Sequence, residues 1–227
     1  PVAITYLKKA NPPQQAIDTA TTENVRNMLS AMQSAGEEAV RRYARDLDGY
    51  TGDIVLGPAH FAAAEKALSP GIKDDIRFAR DRVQDFAKRQ RASMQEFQAE
   101  LMPGLVAGQR LIPCNTAGCY VPGGRYAHAA SAIMSVTTAN VAGVKHIVAT
   151  SPATKDHGVH PGILYAMQLC GAHTVLALGG VQAIAALAYG TFTGHEADIT
   201  ASDHRHVHVT PLLESRCEYP PPAWPAV

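Results

Sequence analysis

The sequence has no excess charge of either sign: Lys and Arg number 20, and Asp and Glu number 20. That balance leaves no basic surface excess for nucleic acid or anionic lipid, so neither nucleic acid nor a membrane is an expected partner. Long apolar runs are also missing; none reaches the roughly 20 residues that a membrane span needs. Residues 1–10 hold no long apolar core with a cleavage site, so a secretory signal is not expected and a cytoplasmic location is. Cysteine is scarce, with only Cys114, Cys119, Cys170 and Cys217. Cys114 and Cys119 are the one close pair, which argues against a zinc ribbon or a disulfide framework. The four are read as ordinary buried or strand-end thiols. The dinucleotide fingerprint G-x-G-x-x-G is absent as well.

What is present is an ordinary globular composition: 227 residues, 46% hydrophobic and 18% charged, enough for one large or two small domains with a real core. Thr22 reads as a helix cap, and Val25, Met28, Leu29, Met32, Val40, Tyr43 and Leu47 follow at helical spacing until Asp48-Gly49. A short helix is expected over 60–68, closed by Ser69-Pro70-Gly71. A longer one is expected over 72–94, with Ile76, Phe78, Val83 and Phe86 on its buried side. Its many charged residues read as a solvated face. Leu105 to Pro113 reads as strand or hairpin, with Gly108 near a turn.

From Gly118 the pattern becomes regular. Strands are expected over 118–121, 144–150 and 173–178, and helices over 128–141, 161–170 and 181–189. Pro161 sits in a first helical turn and Gly171 at a helix stop. This βαβαβα order predicts an α/β fold with a parallel, doubly wound, Rossmann-like sheet behind a helical N-terminal segment. Two segments stand out within it, Tyr120-Val-Pro-Gly-Gly124 and Gly179-Gly-Val-Gln-Ala-Ile-Ala-Ala-Leu-Ala-Tyr-Gly190. Each places a glycine pair between a strand and a helix. Such a turn lets a ligand approach the backbone and exposes helix N-terminal N–H groups to anionic groups such as a pyrophosphate.

These two segments, with Val141-Ala-Gly-Val144, resemble the histidinol dehydrogenase family. The similarity runs from near the start of the chain to Ile199 and is dense from Gly118. Arg125-Tyr-Ala-His128, Met134-Ser-Val-Thr-Thr138 and Leu164-Tyr-Ala-Met-Gln-Leu-Cys170 are more similar to the sulfopropanediol dehydrogenase branch than to histidine-biosynthetic members. The resemblance implies a zinc-dependent oxidoreductase that uses two NAD⁺ to oxidise a primary alcohol through an aldehyde to a carboxylic acid. It also implies a homodimer for full-length members. L-histidinol and 2,3-dihydroxypropane-1-sulfonate are both substrates it allows. Two NAD contacts carry over, Tyr120 and Gln182. A strand-end Tyr can stack on or hydrogen-bond a nucleotide, and a first-turn Gln offers both donor and acceptor. Arg125 and His128 follow the first glycine pair and are candidates for an anionic group of the small-molecule substrate; the alternatives are a surface charge and a helix-start histidine.

The expected organisation is a helical segment and partial first α/β domain over 1–117, a Rossmann-like NAD-binding domain over 118–199, and an aberrant or disordered tail over 200–227. After Ile199 the family pattern continues with a Gly-Pro-Gly-Asn turn, whereas this chain reads Thr200-Ala-Ser-Asp-His-Arg-His-Val-His208. The family's third NAD contact, its zinc ligands and its Glu-His acid–base pair all belong beyond that point. The expectation is therefore a chain truncated after Ile199, without catalytic residues or metal ligands of its own and with negligible dehydrogenase activity alone. A non-catalytic nucleotide-binding or interaction fragment is the alternative. His204, His206 and His208 would share one face of a strand, a possible metal site set against accidental histidines. His146, His157, His160 and His173 read as structural. Asp198 is a possible strand-end residue near the cofactor. Thr137 and Thr138 are expected to bond back to helix carbonyls, and Ser131 and Ser135 have no partners for hydrolase chemistry.

Overall fold

The computed structural model describes residues 19–123, 127–155, 157–202 and 205–207. Its N-terminal part is helical: α1 (Thr19–Ala35), α2 (Glu37–Asp48), α3 (Pro58–Ala67) and α4 (Pro70–Ser93), with the two-residue strand β1 (Val55–Leu56) before α3. A hairpin follows, β2 (Phe97–Met102) and β3 (Leu105–Gln109). Then come β4 (Thr116–Tyr120), α5 (Ala129–Ala142), β5 (His146–Ser151), α6 (Pro161–Cys170), β6 (Thr174–Ala177), α7 (Gly180–Ala188), β7 (Ile199–Ser202) and β8 (Arg205–Val207).

The expected α/β architecture is the observed one. Six strands form one sheet in the order β1-β6-β5-β4-β7-β8. The inner four are parallel, and β1 and β8 are antiparallel edges. From β4 the chain steps outward through β5 to β6, then returns to place β7 on the other side of β4. Right-handed crossovers demand that such a reversal switch the connecting helix to the opposite face. Accordingly α5 and α6 pack on one face, with Val136, Ile163 and Met167 in the core, together with Ile76 of α4. On the other face α7 packs with α1 and α2 through Leu187, Met32 and Val40. Strand residues alternate between these two cores: Cys119, Ile147, Ala149 and Val175 face the first, and Val148, Leu176 and Leu178 the second. With both faces covered, the strands read as near-continuous apolar runs. Gly118 lies directly under Leu187, whose Cβ would stand 3.1 Å from a Cβ placed there, so a glycine allows α7 to sit close.

Several local expectations need correction. The pattern over 22–48 is two helices, not one; Gly36 separates them with φ of 55°, a left-handed backbone that glycine tolerates. On α4, Ile76 is buried and Val83 packs against the core, but Phe78 and Phe86 are 66% and 63% exposed. Ala87 takes the buried position instead, because small residues let α4 lie closely on α5. The hairpin turns at Pro103-Gly104, with Gly104 at φ of 81°, rather than near Gly108. Gly108 lies inside β3 against the carbonyl of Phe97. The sheet also continues past Ile199, with Thr200 paired to Gly118. Cys217, His204 and His208 lie outside the described residues; His206 belongs to β8, beside Ala201 of β7.

Candidate functional site

Strand order reverses at β4, and in open α/β sheets ligands bind beyond the carboxyl ends of the strands at such a reversal. Both glycine turns open there. The first follows β4; a Cβ on Gly123 would stand 3.2 Å from Ser151 Oγ and from Pro152. The second joins β6 to α7; a Cβ on Gly179 would stand 2.8 Å from Pro152 Cγ. Pro152, just past β5, is therefore wedged between the two turns, and neither glycine can gain a side chain without moving it. Gly180 opens α7 with φ of 59°, again a glycine conformation.

Tyr120 ends β4 on the α7 face, half-buried. Its hydroxyl accepts a hydrogen bond from the Gly180 N–H at 3.4 Å. That contact spans from the central strand to the start of α7 and brings the Tyr120 and Gly179-Gly180 segments into one place. Gln182 lies in the first turn of α7 and is 2% exposed. Its Nε2 donates to Asp48 Oδ2 at 2.7 Å, tying α7 to the last residue of α2. Its Oε1 points toward Gly180, 3.2 Å from where a Cβ would be. His128 is the N-cap residue of α5, half-buried, with no side-chain capping bond. Arg125 lies outside the described residues.

Sequence reasoning missed three residues here. Asp48 reads only as the end of a helix, since 134 residues separate it from Gln182. Pro152 reads only as a strand stop. Ser151 is fully buried at the end of β5, and its hydroxyl has no hydrogen-bond partner among the described residues.

Other candidates fall away from this edge of the sheet. Asp198 sits at the amino end of β7, at the opposite edge of the sheet, so it is not a cofactor-side residue. Its carboxylate accepts from the N–H groups of Asn115 and Thr116 at 2.7 and 3.1 Å and fixes the start of β4. His160 Nδ1 caps α6 by accepting from the Gly162 N–H at 3.1 Å, and His173 Nδ1 accepts from the Ile147 N–H at 3.0 Å. Both are structural, as expected. Thr138 bonds back to the Met134 carbonyl at 2.6 Å, but Thr137, equally expected to, makes no such bond. Cys114, Cys119 and Cys170 are free thiols, and burial pushes Cys119 up to about 12. A thiol so protonated is no nucleophile near neutrality. Among the described residues, no group of three or more His, Cys, Asp or Glu could hold a metal ion. No helix among them is long and apolar enough to cross a membrane.

Comparison with known proteins agrees with this fold. The family model described as histidinol dehydrogenase matches residues 11–201. A histidinol dehydrogenase homolog of Ruegeria pomeroyi is 52% identical over 87% of this chain and 46% of its own length. The sulfopropanediol 3-dehydrogenase of the same organism is 46% identical over 84% of this chain and 44% of its own length. The crystal structure of histidinol dehydrogenase from Elizabethkingia anophelis superposes with a TM-score of 0.77 at 25% identity, over 88% of this chain and 45% of that one. The chain thus spans a little under half the length of these relatives, and within that span it belongs to the histidinol dehydrogenase family, a family of oxidoreductases.

Proposed function

We propose that this chain supplies the NAD-binding part of an enzyme that oxidises a primary alcohol, through the aldehyde, to a carboxylic acid in two hydride transfers. One observation carries the reading: Gly123 and Gly179, each following a parallel strand, both lie against Pro152 at the carboxyl edge of the sheet, and Tyr120 reaches the turn that opens α7. These features suit a dinucleotide. The N-terminal end of α7, where the helix dipole is positive, favours a pyrophosphate. The Tyr120 ring offers a stacking surface, and Gln182 a buried amide at the edge of the turn. Bound there, NAD⁺ supplies the hydride acceptor.

His128, the N-cap residue of α5, and Arg125 are assigned to an anionic substrate group. The 46% identity to a sulfopropanediol 3-dehydrogenase, against 38% to the histidinol dehydrogenase of Parasynechococcus marenigrum, favours a sulfonated diol such as 2,3-dihydroxypropane-1-sulfonate over L-histidinol. Zinc does not fit the described residues, which hold no ligand set, so no step is assigned through it. A cytoplasmic homodimer completes the proposal. The exposed apolar hairpin favours a second reading, in which this chain acts as a non-catalytic interaction unit.

Calorimetric titration with NAD⁺ tests the first reading. Saturable binding is expected, weakened about tenfold by Gln182→Ala through loss of a buried hydrogen-bonding group, and unchanged by added zinc. A flat titration with folded protein would refute it.

A further inference from the structure

The Asp48–Gln182 contact has a chemical direction. A carboxylate only accepts hydrogen bonds, so the Gln182 group facing it must be the NH₂. That settles the amide orientation, which otherwise has two near-equivalent settings. The amide then lies alongside Gly180 with its carbonyl oxygen the nearer atom: a Cβ on Gly180 would stand 3.2 Å from Oε1 and 3.6 Å from Nε2. Among the described residues that oxygen accepts no hydrogen bond. Asp48 itself has no evident role in α2. It is the last residue of that helix, where the helix dipole disfavours a negative charge.

We propose that Asp48 is a positioning residue: it locks the Gln182 carboxamide with its oxygen toward the second glycine turn, so that the ligand group met there must be a hydrogen-bond donor. A ribose hydroxyl or a carboxamide N–H meets that requirement; a phosphate oxygen or a ring-nitrogen acceptor does not. The proposal rests on the nucleotide-binding reading of the sheet's carboxyl edge for the identity of the ligand. The orientation of the amide rests on the hydrogen bond alone.

The test uses the whole chain, ¹⁵N-labelled, with NAD⁺ as the probe. The Gln182 side-chain amide pair is identified as the one missing in Gln182→Ala. It is expected to be protected from hydrogen exchange, to stay protected when NAD⁺ saturates, and to lose protection in Asp48→Ala. NAD⁺ affinity is expected to fall about tenfold in Asp48→Ala and to survive within about threefold in Asp48→Asn, whose side-chain oxygen still accepts. The double variant Asp48→Ala with Gln182→Ala is expected to bind no more weakly than Gln182→Ala alone. An unprotected amide in the unsubstituted chain overturns the proposal, as does its release on NAD⁺ binding. Equal affinity in a folded Asp48→Ala, or strictly additive losses, overturns it too. Through-bond assignment of the Gln182 amide in the unsubstituted chain keeps the two wild-type amide readings independent of any variant folding. A chain that binds no NAD⁺ but keeps the amide protected refutes the nucleotide reading and leaves the Asp48 lock standing.

Discussion

The parallel sheet and the β2–β3 hairpin are built from the same kinds of residue and end in opposite states. In the sheet, Ile147, Leu176 and Val175 are fully buried between two helical layers. In the hairpin, Phe97, Leu101, Met102, Leu105 and Val106 are all exposed, Leu101 to 67%. Every residue of both hairpin strands faces solvent on both sides. A two-stranded ribbon has no layer of its own to cover it and is at best marginally stable alone. Apolar patterning reports that a segment needs cover; it does not report what provides the cover.

Hydrogen exchange gives the largest contrast. Amides of β4, β5 and β6 are expected to exchange only by near-global unfolding and those of β2 and β3 by local opening, with protection differing by at least about a thousandfold. Equal protection would mean that the hairpin is covered in solution. Thiol chemistry sharpens the same comparison within the sheet region. Because burial raises Cys119 from 9.0 to about 12, its proton is held more tightly folded than unfolded. Its contribution to stability is therefore full below pH 9, and it is lost as pH rises from about 9 toward 12. At pH 8, peptide mapping after iodoacetamide treatment is expected to show Cys119 unmodified in native protein and modified in urea.

Core substitution follows. Ile163→Ala, at a fully buried helix position facing the sheet, is expected to cost about 2–5 kcal/mol in urea unfolding, and Leu101→Ala in the hairpin within about 0.5 kcal/mol. A loss above 2 kcal/mol at Leu101 would reverse the contrast. A smaller effect is expected at Gly190, which closes the turn after α7 with φ of 62° and whose Cβ would stand 2.7 Å from the His195 backbone. Gly190→Ala is expected to cost about 1–3 kcal/mol by thermal melting; no change would show that the loop over 191–198 yields freely.

Much of the fold was legible because its signals are local. Pro161 and Gly171 bracket α6 as expected, since one fits a first helical turn and the other takes the left-handed backbone of a helix stop. The order of strands and helices from β4 through α7 follows from apolar runs bounded by glycine and proline, whereas β7 and β8 fall where no strand was expected. The misreadings are equally instructive. Phe78 and Phe86 fall on the helical stripe but face solvent, because a helix can satisfy its core contact with Ile76 and Ala87 alone. Asp198 stands at a strand end, but at the amino rather than the carboxyl one, a distinction that needs the strand direction.

The candidate site divides in the same way. Tyr120 and the two glycine pairs are visible in one dimension, since each lies at a strand-to-helix junction that composition alone marks. The sequence by itself determined the α/β order, the helix stops at Gly49 and Gly171, the placing of glycine pairs after strands and the family, though not the start of α1, where Thr22 is interior rather than a cap. Only the tertiary structure decided that the chain reverses at β4, that Pro152 stands between the turns, and that Asp48 reaches Gln182 across 134 residues. Local propensities act over a turn or two of chain, whereas a hydrogen bond forms between whatever groups the packed helices bring to 2.7 Å.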